Sequence, residues 1–427
     1  MTTTKLQWRH CVITTVLTAW SVGQSDAKRV RYNKYAVVKV TPTSREQVAA
    51  IEDIKRNFEK VDFWTMEPKE HWPTQMAILK ADKAKILEIL ESNGIEASLV
   101  TNNVQRTIDR ERTKHQRGFK SARPFALNQY HTLSEARERF ETTAPAKLAW
   151  RHPGLVKTFS IGKSYEGRDQ NLVKIGKANP NCEKKPAVFL DSLIHAREWV
   201  AGASLFYAMQ MLTSKYFNDS EIGRLLDNID VYVLPVVNVD GYVYSHREVA
   251  DERIAIASNF DMAFNTTGVS TDPCEQIYPG PYAHSEPVVR NLADFLGKHN
   301  DTIKAYFSFH SFGQLLFLPF GYTTANTEDH ETQLALANET ATAMQEFSGT
   351  EFIVGQPSQL LYSASGSSMD YVYYKLGIKH SLTSELRPSI YSNHSFVLPE
   401  KYILPTARET FQGIKVILRK VMAENKC

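Results

Sequence analysis

The chain has 427 residues, 42% of them hydrophobic and 11% aromatic, which is enough apolar surface for two or three packed domains. Its net charge of +3 is close to balance, so composition gives no electrostatic reason to expect a nucleic-acid partner. No run approaches the roughly 18 consecutive apolar residues of a membrane-spanning helix, so we expect no membrane partner either.

Residues 1–23 have the layout of a secretory signal peptide. Lys5 and Arg9 are basic, the stretch 12–20 is apolar, and 21–23 offers small residues for cleavage. The layout predicts a secreted, extracellular protein; a disordered cytosolic tail is the alternative. Five glycosylation sequons fit secretion and begin at Asn218, Asn265, Asn300, Asn338 and Asn393.

The cysteines leave their pairing open. Cys11 would be removed with the signal peptide, and Cys182, Cys274 and Cys427 would remain. An odd number cannot all pair within one chain, and the spacing does not indicate which two would bond.

Residues 24–120 are predicted to form a small α+β domain. Ser44 and Gln47 belong to a capping box that opens one helix, and Asn93-Gly94 ends a second one. The predicted strands are 30–40, 61–66, 76–80 and 95–100, and the predicted helices are 44–58 and 81–92. The order strand, helix, strand, strand, helix, strand is typical of a ferredoxin-like unit.

A charge-dense helical segment, 108–118, ends this part of the chain. With Lys120 and Arg123 it offers exposed basic residues that a trypsin-like protease could cut. We therefore expect an activating protease as a partner; an ordinary solvated linker helix is the alternative.

Residues 121–427 are predicted to form a larger α/β domain. Strand-like and helix-like segments alternate, which predicts a mixed, mostly parallel sheet with helices on both faces. The predicted strands are 187–190, 231–237, 303–309, 315–320 and 381–384. The predicted helices are 200–212, 286–298, 331–347, 367–376 and 400–422.

His195 and Glu198 follow the strand predicted at 187–190. An imidazole and a carboxylate three residues apart can bind one zinc ion from a tight turn. A catalytic zinc site uses three protein ligands and leaves one position for water, so a second, distant histidine is needed. Taken alone, the pair is weak evidence for a metal site and favours a satisfied histidine beside a surface glutamate.

Two further polar residues follow predicted strands. His310 is predicted to close the strand 303–309, and Glu385 to follow the strand 381–384. Ligands of open α/β sheets bind beyond the carboxyl ends of the strands, so we expect both side chains to converge on His195 and Glu198.

Four separated segments resemble one known family. They are His195-Ala196-Arg197-Glu198-Trp199, 310–316, 361–370 and Ser384-Glu385-Leu386-Arg387. Their order and content are similar to those of the zinc metallocarboxypeptidases of the digestive A/B type, including procarboxypeptidase A. The resemblance extends over nearly the whole chain, and the unit at 24–120 looks like the family's activation domain.

The resemblance implies the roles of the site residues. His195, Glu198 and His310 would hold one Zn²⁺, and Glu385 would be the general base. The family's oxyanion-stabilising arginine lies 12 residues after the Asp-Gly turn, which places Arg253 in that role.

The same resemblance implies how a peptide C-terminus is bound. Arg197, Asn259 and Tyr362 match family residues that contact the free carboxylate of the substrate. Met369 corresponds to the bottom of the specificity pocket. Because Met369 is apolar, it predicts a preference for aromatic or aliphatic C-terminal residues over basic ones.

The departures from the family fall mainly in one segment. Between Arg253 and Asn259 the chain is about a dozen residues shorter than the family pattern. Ala257 stands where the family has a carboxylate that orients a zinc-bound histidine, and Phe260 where it has the main arginine for the substrate carboxylate. Losing such a carboxylate costs about 10- to 100-fold in affinity or activity. Phe312 also replaces a family tyrosine.

Two functions from different classes follow. The first is a secreted zinc carboxypeptidase precursor that removes apolar C-terminal residues and is expected to be a monomer. The second is a catalytically impaired homologue that holds zinc and binds peptides or an inhibitor. A purely structural zinc is a poor third option, because no fourth protein ligand is evident.

Overall fold

The computed structural model describes residues 32–58, 60–64, 68–106, 126–138, 154–247, 256–273 and 277–425. The predicted signal peptide, the cleavage segment, Arg253 and three of the cysteines lie outside the described residues. Cys182 takes part in a disulfide bond. None of the described helices has the length and apolar character to cross a membrane.

The amino-terminal unit is a four-stranded antiparallel sheet covered by two helices. Its elements are β1 (Tyr35–Val40), α1 (Arg45–Asn57), β2 (Asp62–Phe63), β3 (Thr74–Leu79), α2 (Lys83–Ser92) and β4 (Ala97–Thr101). The strand order β2-β3-β1-β4 with antiparallel pairing confirms the predicted ferredoxin-like arrangement. The Ser44 side chain accepts a hydrogen bond from the Gln47 backbone N–H, which caps α1 as predicted.

The second unit is built around an eight-stranded sheet. Its strands are β5 (Val156–Lys163), β6 (Asp169–Ile175), β7 (Ala187–Ser192), β8 (Asp230–Leu234), β9 (Ile303–Gly313), β10 (Leu315–Phe317), β11 (Ile353–Gly355) and β12 (His380–Ser389). Its helices are α3 (Leu133–Glu138), α4 (Trp199–Lys215), α5 (Ser220–Asn228), α6 (Val239–Arg247), α7 (Pro287–Lys298), α8 (His330–Ser348), α9 (Pro357–Leu360), α10 (Ser368–Tyr374) and α11 (Ile403–Glu424).

The strand order is β11-β10-β12-β9-β7-β8-β6-β5. The four central strands, β12, β9, β7 and β8, are mutually parallel, and antiparallel strands flank them. Apolar residues of α4, α8 and α11 pack on one face, and those of α7 and α10 on the other. This confirms the predicted mixed α/β sheet with helices on both faces.

Strand β9 presents different chemistry to the two faces of the sheet. Phe307 and Phe309 enter the core formed with α4, α8 and α11, whereas Ser308 and His310 alternate with them and point the other way. The strand continues to Gly313, so the prediction that it ends before His310 is wrong. In β9, a polar residue therefore marks one face of the sheet and does not mark the end of the strand.

Strand β12 differs from its prediction in the same way. It runs from His380 to Ser389, so Glu385 lies inside the strand and does not follow it. The strand pairs with β9 in parallel, with Glu385 opposite His310. Register, not strand termination, therefore brings these two residues together.

The amino-terminal unit contacts two segments of the second unit. Lys69 Nζ donates to Leu360 O at 2.8 Å, and Trp72 packs against the apolar cluster of Leu315, Phe317 and Met369. The second contact is the loop 390–396. There Lys39 Nζ donates to Asn393 Oδ1 at 2.6 Å, Gln75 Nε2 donates to Ser392 O at 2.9 Å, and Ser395 Oγ donates to Gln75 Oε1.

Candidate active site

A tight turn after β7 positions the first two ligand candidates. Strand β7 ends at Ser192, Leu193 has a φ of +57°, and helix α4 begins at Trp199. The Glu198 N–H donates to His195 O at 3.3 Å, which closes the turn between them. The two side chains are thereby directed to the same point at the start of α4.

His195, Glu198 and His310 converge as predicted. His195 Nδ1 lies 2.9 Å from Glu198 Oε1 and 3.0 Å from His310 Nδ1, and His310 Nδ1 lies 3.1 Å from Glu198 Oε2. One ligand atom from each residue lies within 4.8 Å of the others. They are the one group in the described part of the chain that brings three such side chains together in this way.

The residues present fit a zinc ion. Glu198 is only 4% exposed, and its two carboxylate oxygens face the ring nitrogens of His195 and His310. Zinc binds histidine nitrogens and carboxylate oxygens at about 2.0–2.2 Å, so donor atoms about 3 Å apart can share one ion. Although burial opposes its ionisation, the two facing imidazoles lower the pKa of Glu198, which favours the charged form that a metal requires.

Glu385 lies beside this group. It pairs with His310 on one side and with Leu315 of β10 on the other. Burial, and then the negative charge of Glu198, raise the pKa of Glu385 to about 8. Its Oε2 is shielded from solvent and has no hydrogen-bond partner among the described residues. The carboxyl group can therefore form a hydrogen bond with a molecule that enters the site.

Two of the predicted substrate contacts, Arg197 and Met369, lie near Glu385. Arg197 acts electrostatically on Glu385, and its guanidinium carbon lies 4.1 Å from the centre of the Phe396 ring. Met369 is 3% exposed and packs in the apolar cluster with Leu315, the strand neighbour of Glu385. Tyr362 is 40% exposed. Arg253 lies outside the described residues.

Asn259 is not placed as the sequence predicts. Its Nδ2 donates to Pro279 O at 2.7 Å, to Ser285 Oγ at 2.9 Å and to Tyr282 O at 3.2 Å, and its Oδ1 accepts from the Glu286 N–H at 3.1 Å. The residue has no exposed surface. Because these bonds use its amide fully, Asn259 is a structural residue that holds the loop 279–286, and a substrate carboxylate cannot reach it.

Phe260 is also a core residue. It is fully buried, and its ring centre lies 5.6 Å from that of Tyr371 and 6.0 Å from that of His284. A side chain in this position points into the core, so Phe260 does not stand where an arginine would bind substrate. The matching of positions 259 and 260 to the family's substrate contacts is therefore wrong, and Phe260 is no evidence of impaired catalysis.

Sequence reasoning missed two polar residues behind His310. Ser308 Oγ lies 3.2 Å from His310 Nε2 and donates to Asp191 Oδ1 at 2.6 Å. Both are fully buried. The available signal was the run Phe307-Ser308-Phe309-His310, in which polar residues alternate with aromatic ones in a strand buried on both faces.

Comparison with known proteins agrees with this geometry. The family model described as "Zinc carboxypeptidase" matches residues 143–413, and the one described as "Carboxypeptidase activation peptide" matches residues 38–111. Mouse carboxypeptidase A2 is 34% identical over 405 residues, which cover 90% of this chain and 93% of the relative. Bovine carboxypeptidase A1 is 29% identical over 428 residues, covering 96% and 98%.

Solved structures show the same similarity. The crystal structure of thrombin activatable fibrinolysis inhibitor superposes with a TM-score of 0.82 and 29% identity, covering 92% of this chain and 100% of that one. Carboxypeptidase A from Helicoverpa armigera gives a TM-score of 0.79 and 26% identity, covering 93% and 99%. With both the catalytic and the activation segments matched, the chain belongs to the zinc carboxypeptidase family and carries that family's activation peptide.

Proposed function

We propose that this protein is a secreted carboxypeptidase precursor whose mature form removes single apolar residues from peptide and protein C-termini. Residues 1–23 would be the signal peptide, 24–120 the activation domain and 121–427 the catalytic domain. The convergence of His195, Glu198 and His310 carries this proposal, since the three ligands leave one position open for water.

The residues would divide the chemistry as follows. His195, Glu198 and His310 would hold the zinc, which when bound acidifies a water and polarises the scissile carbonyl. Glu385 would take a proton from the attacking water and pass it to the leaving amine. Arg253 would stabilise the negative charge that develops on the carbonyl oxygen.

Recognition of the C-terminus would depend on two further residues and the pocket. Arg197 and Tyr362 would bind the terminal carboxylate, because a guanidinium can pair with a carboxylate through two hydrogen bonds. The Phe396 ring stacked on Arg197 supports this by limiting the orientations of the guanidinium. Met369, in its cluster with Leu315 and Phe317, would line an apolar pocket for the terminal side chain.

The test is to cleave the purified precursor with trypsin and supply three peptides that end in Phe, in Lys, and in amidated Phe. We expect release of Phe from the free acid, little release of Lys, and no release from the amide. A zinc chelator should abolish the reaction, and added zinc should restore it.

Two results would contradict the proposal. Equal turnover of the amidated peptide would exclude a carboxypeptidase. Tight zinc binding without turnover of any peptide would instead establish the impaired, peptide-binding homologue, for which the shortened segment before Asn259 remains the supporting feature.

A further inference from the structure

A buried carboxylate lies behind the zinc-ligand candidates. Asp191 in β7 has no exposed surface, and no basic side chain of the described residues is within ion-pair distance of it. Its register partner in β9 is Ser308, whose Oγ donates to Asp191 Oδ1 at 2.6 Å. Ser308 Oγ also lies 3.2 Å from His310 Nε2, so the serine bridges the carboxylate and the imidazole.

The direction of both hydrogen bonds is fixed by chemistry. His310 Nδ1 faces His195 and Glu198, so a bound metal would take the lone pair of Nδ1 and leave the proton on Nε2. Nε2–H must then donate to Ser308 Oγ, and the serine hydroxyl in turn donates to Asp191. The Asp191 oxygen that accepts the hydrogen bond from the serine hydroxyl must therefore carry no proton.

We propose that Asp191 and Ser308 are positioning residues that act through His310, fixing its ring orientation and tautomer for zinc. This inference rests on the proposed zinc-binding role of His310. It places carboxylate support behind the histidine of β9.

Burial argues against a merely structural role. Taking a carboxylate out of water is unfavourable unless a positive charge or several hydrogen bonds compensate for it. The buried Tyr306 hydroxyl also faces the Asp191 carboxylate and lowers its pKa, but it brings no positive charge. Burial raises the pKa of Asp191 to about 6. A metal bound to His310 would supply the missing positive charge. In the metal-free protein, the buried charge of Asp191 destabilises the folded state.

The test measures zinc affinity by competition with a chromophoric chelator in the full-length precursor. Ser308→Ala and Asp191→Asn should each raise the zinc dissociation constant by about 10- to 100-fold. Both residues act through the same series of hydrogen bonds. The zinc dissociation constant of the double variant should therefore lie within about threefold of that of the more weakly binding single variant. Ser308→Thr keeps the hydroxyl and should retain near wild-type affinity.

Ser204→Ala is the matched control, since Ser204 is equally buried but its Oγ donates to Val200 O within α4. It should leave zinc affinity unchanged. If Ser308→Ala also leaves it unchanged, or if the effects of the two single variants multiply, the proposal is overturned. Failure of the wild-type protein to bind zinc would instead overturn the proposed function, so the two failures are distinguishable.

A second readout separates positioning from structural support. In the metal-free protein, Asp191→Asn removes a buried charge, so its melting temperature should equal or exceed that of the wild type while zinc affinity falls. A structural residue would lower both. A clear loss of metal-free melting temperature in Asp191→Asn would therefore count against the proposal.

Discussion

Glu385 and His310 are register partners on the neighbouring parallel strands β12 and β9. Register partners in a sheet place their side chains on the same face, next to each other. The relative position of the carboxyl group that we propose transfers protons and the imidazole that we propose binds the metal is thus set by backbone pairing in the middle of the sheet.

Replacing Glu385 by Gln should separate catalysis from metal binding. General acid–base catalysis contributes about 10²- to 10⁴-fold, so we expect kcat to fall by that range. Zinc content should stay at one ion per chain, since the three ligands are untouched. Glu351→Gln, at an exposed position, is the control. Activity within threefold of wild type would show that Glu385 is not the base.

Replacing Met369 by Asp should reverse the preference for the terminal side chain. A carboxylate in this apolar cluster disfavours an apolar side chain and can pair with a basic one. We expect kcat/KM for a peptide ending in Phe to fall at least about 10-fold, and that for a peptide ending in Arg to rise. Met369→Leu should retain the original preference. An unchanged order of substrates in Met369→Asp would mean that the pocket lies elsewhere.

Replacing Trp72 by Ala should loosen the activation domain. Full burial of a large apolar side chain contributes about 1.5–3 kcal/mol, and the partly buried Trp72, which packs against the cluster that contains Met369, should contribute a fraction of this. We expect higher residual activity in the uncleaved precursor and faster activation by trypsin. Leu99→Ala, on the same unit but 50% exposed, should change neither. Identical behaviour of the two variants would argue against Trp72 as an anchor.

Stability should depend on pH through Asp370. Burial raises the pKa of Asp370 from its ordinary value of 3.8 to about 7, although the N–H groups of Gly321 and Tyr322 donate to the carboxylate and oppose the shift. Between these pH values the folded protein holds a proton that the unfolded chain releases. The contribution of the Asp370 proton to the free energy of unfolding is therefore fully present below about pH 4 and is lost as the pH rises towards 7.

The measurement is urea unfolding at pH 5 and pH 8 for wild type and Asp370→Asn. Between pH 5 and pH 8, the free energy of unfolding of the wild type should fall by about 2–3 kcal/mol more than that of the variant, because the wild type alone has the shifted carboxyl group. The absolute stability of the variant is not informative, because Asn also loses an acceptor for the Gly321 N–H. A parallel pH dependence in the two proteins would rule out Asp370 as the titrating group.

Much of the fold could be predicted from sequence, because the central strands are apolar runs between clear turn signals. The hairpin of β5 and β6 was missed. Strand β5 is at the edge of the sheet, and most of its residues are exposed, so it lacks an apolar run. Strand β11 has only three residues, too few for a pattern.

At the site, the sequence predicts the metal-ligand candidates because each sits in a distinctive motif. Asn259 and Phe260 were misplaced because matching residues across a shortened segment depends on where the gap is put, and only burial and hydrogen bonding decide that. Asp191 and Ser308 were missed because a serine or aspartate in a buried strand has no motif of its own. Their significance comes from strand register, which the sequence does not display.

The contacts between the two units bear on how the precursor would be switched on. Lys39, Lys69, Trp72 and Gln75 all belong to the amino-terminal unit, and none of their contacts depends on the covalent connection between the units. Hydrolysis of that connection would leave a non-covalent complex governed by an ordinary dissociation equilibrium. Onset of activity would then follow dilution or further digestion of the released fragment, and a concentrated sample would lag behind a dilute one cut to the same extent.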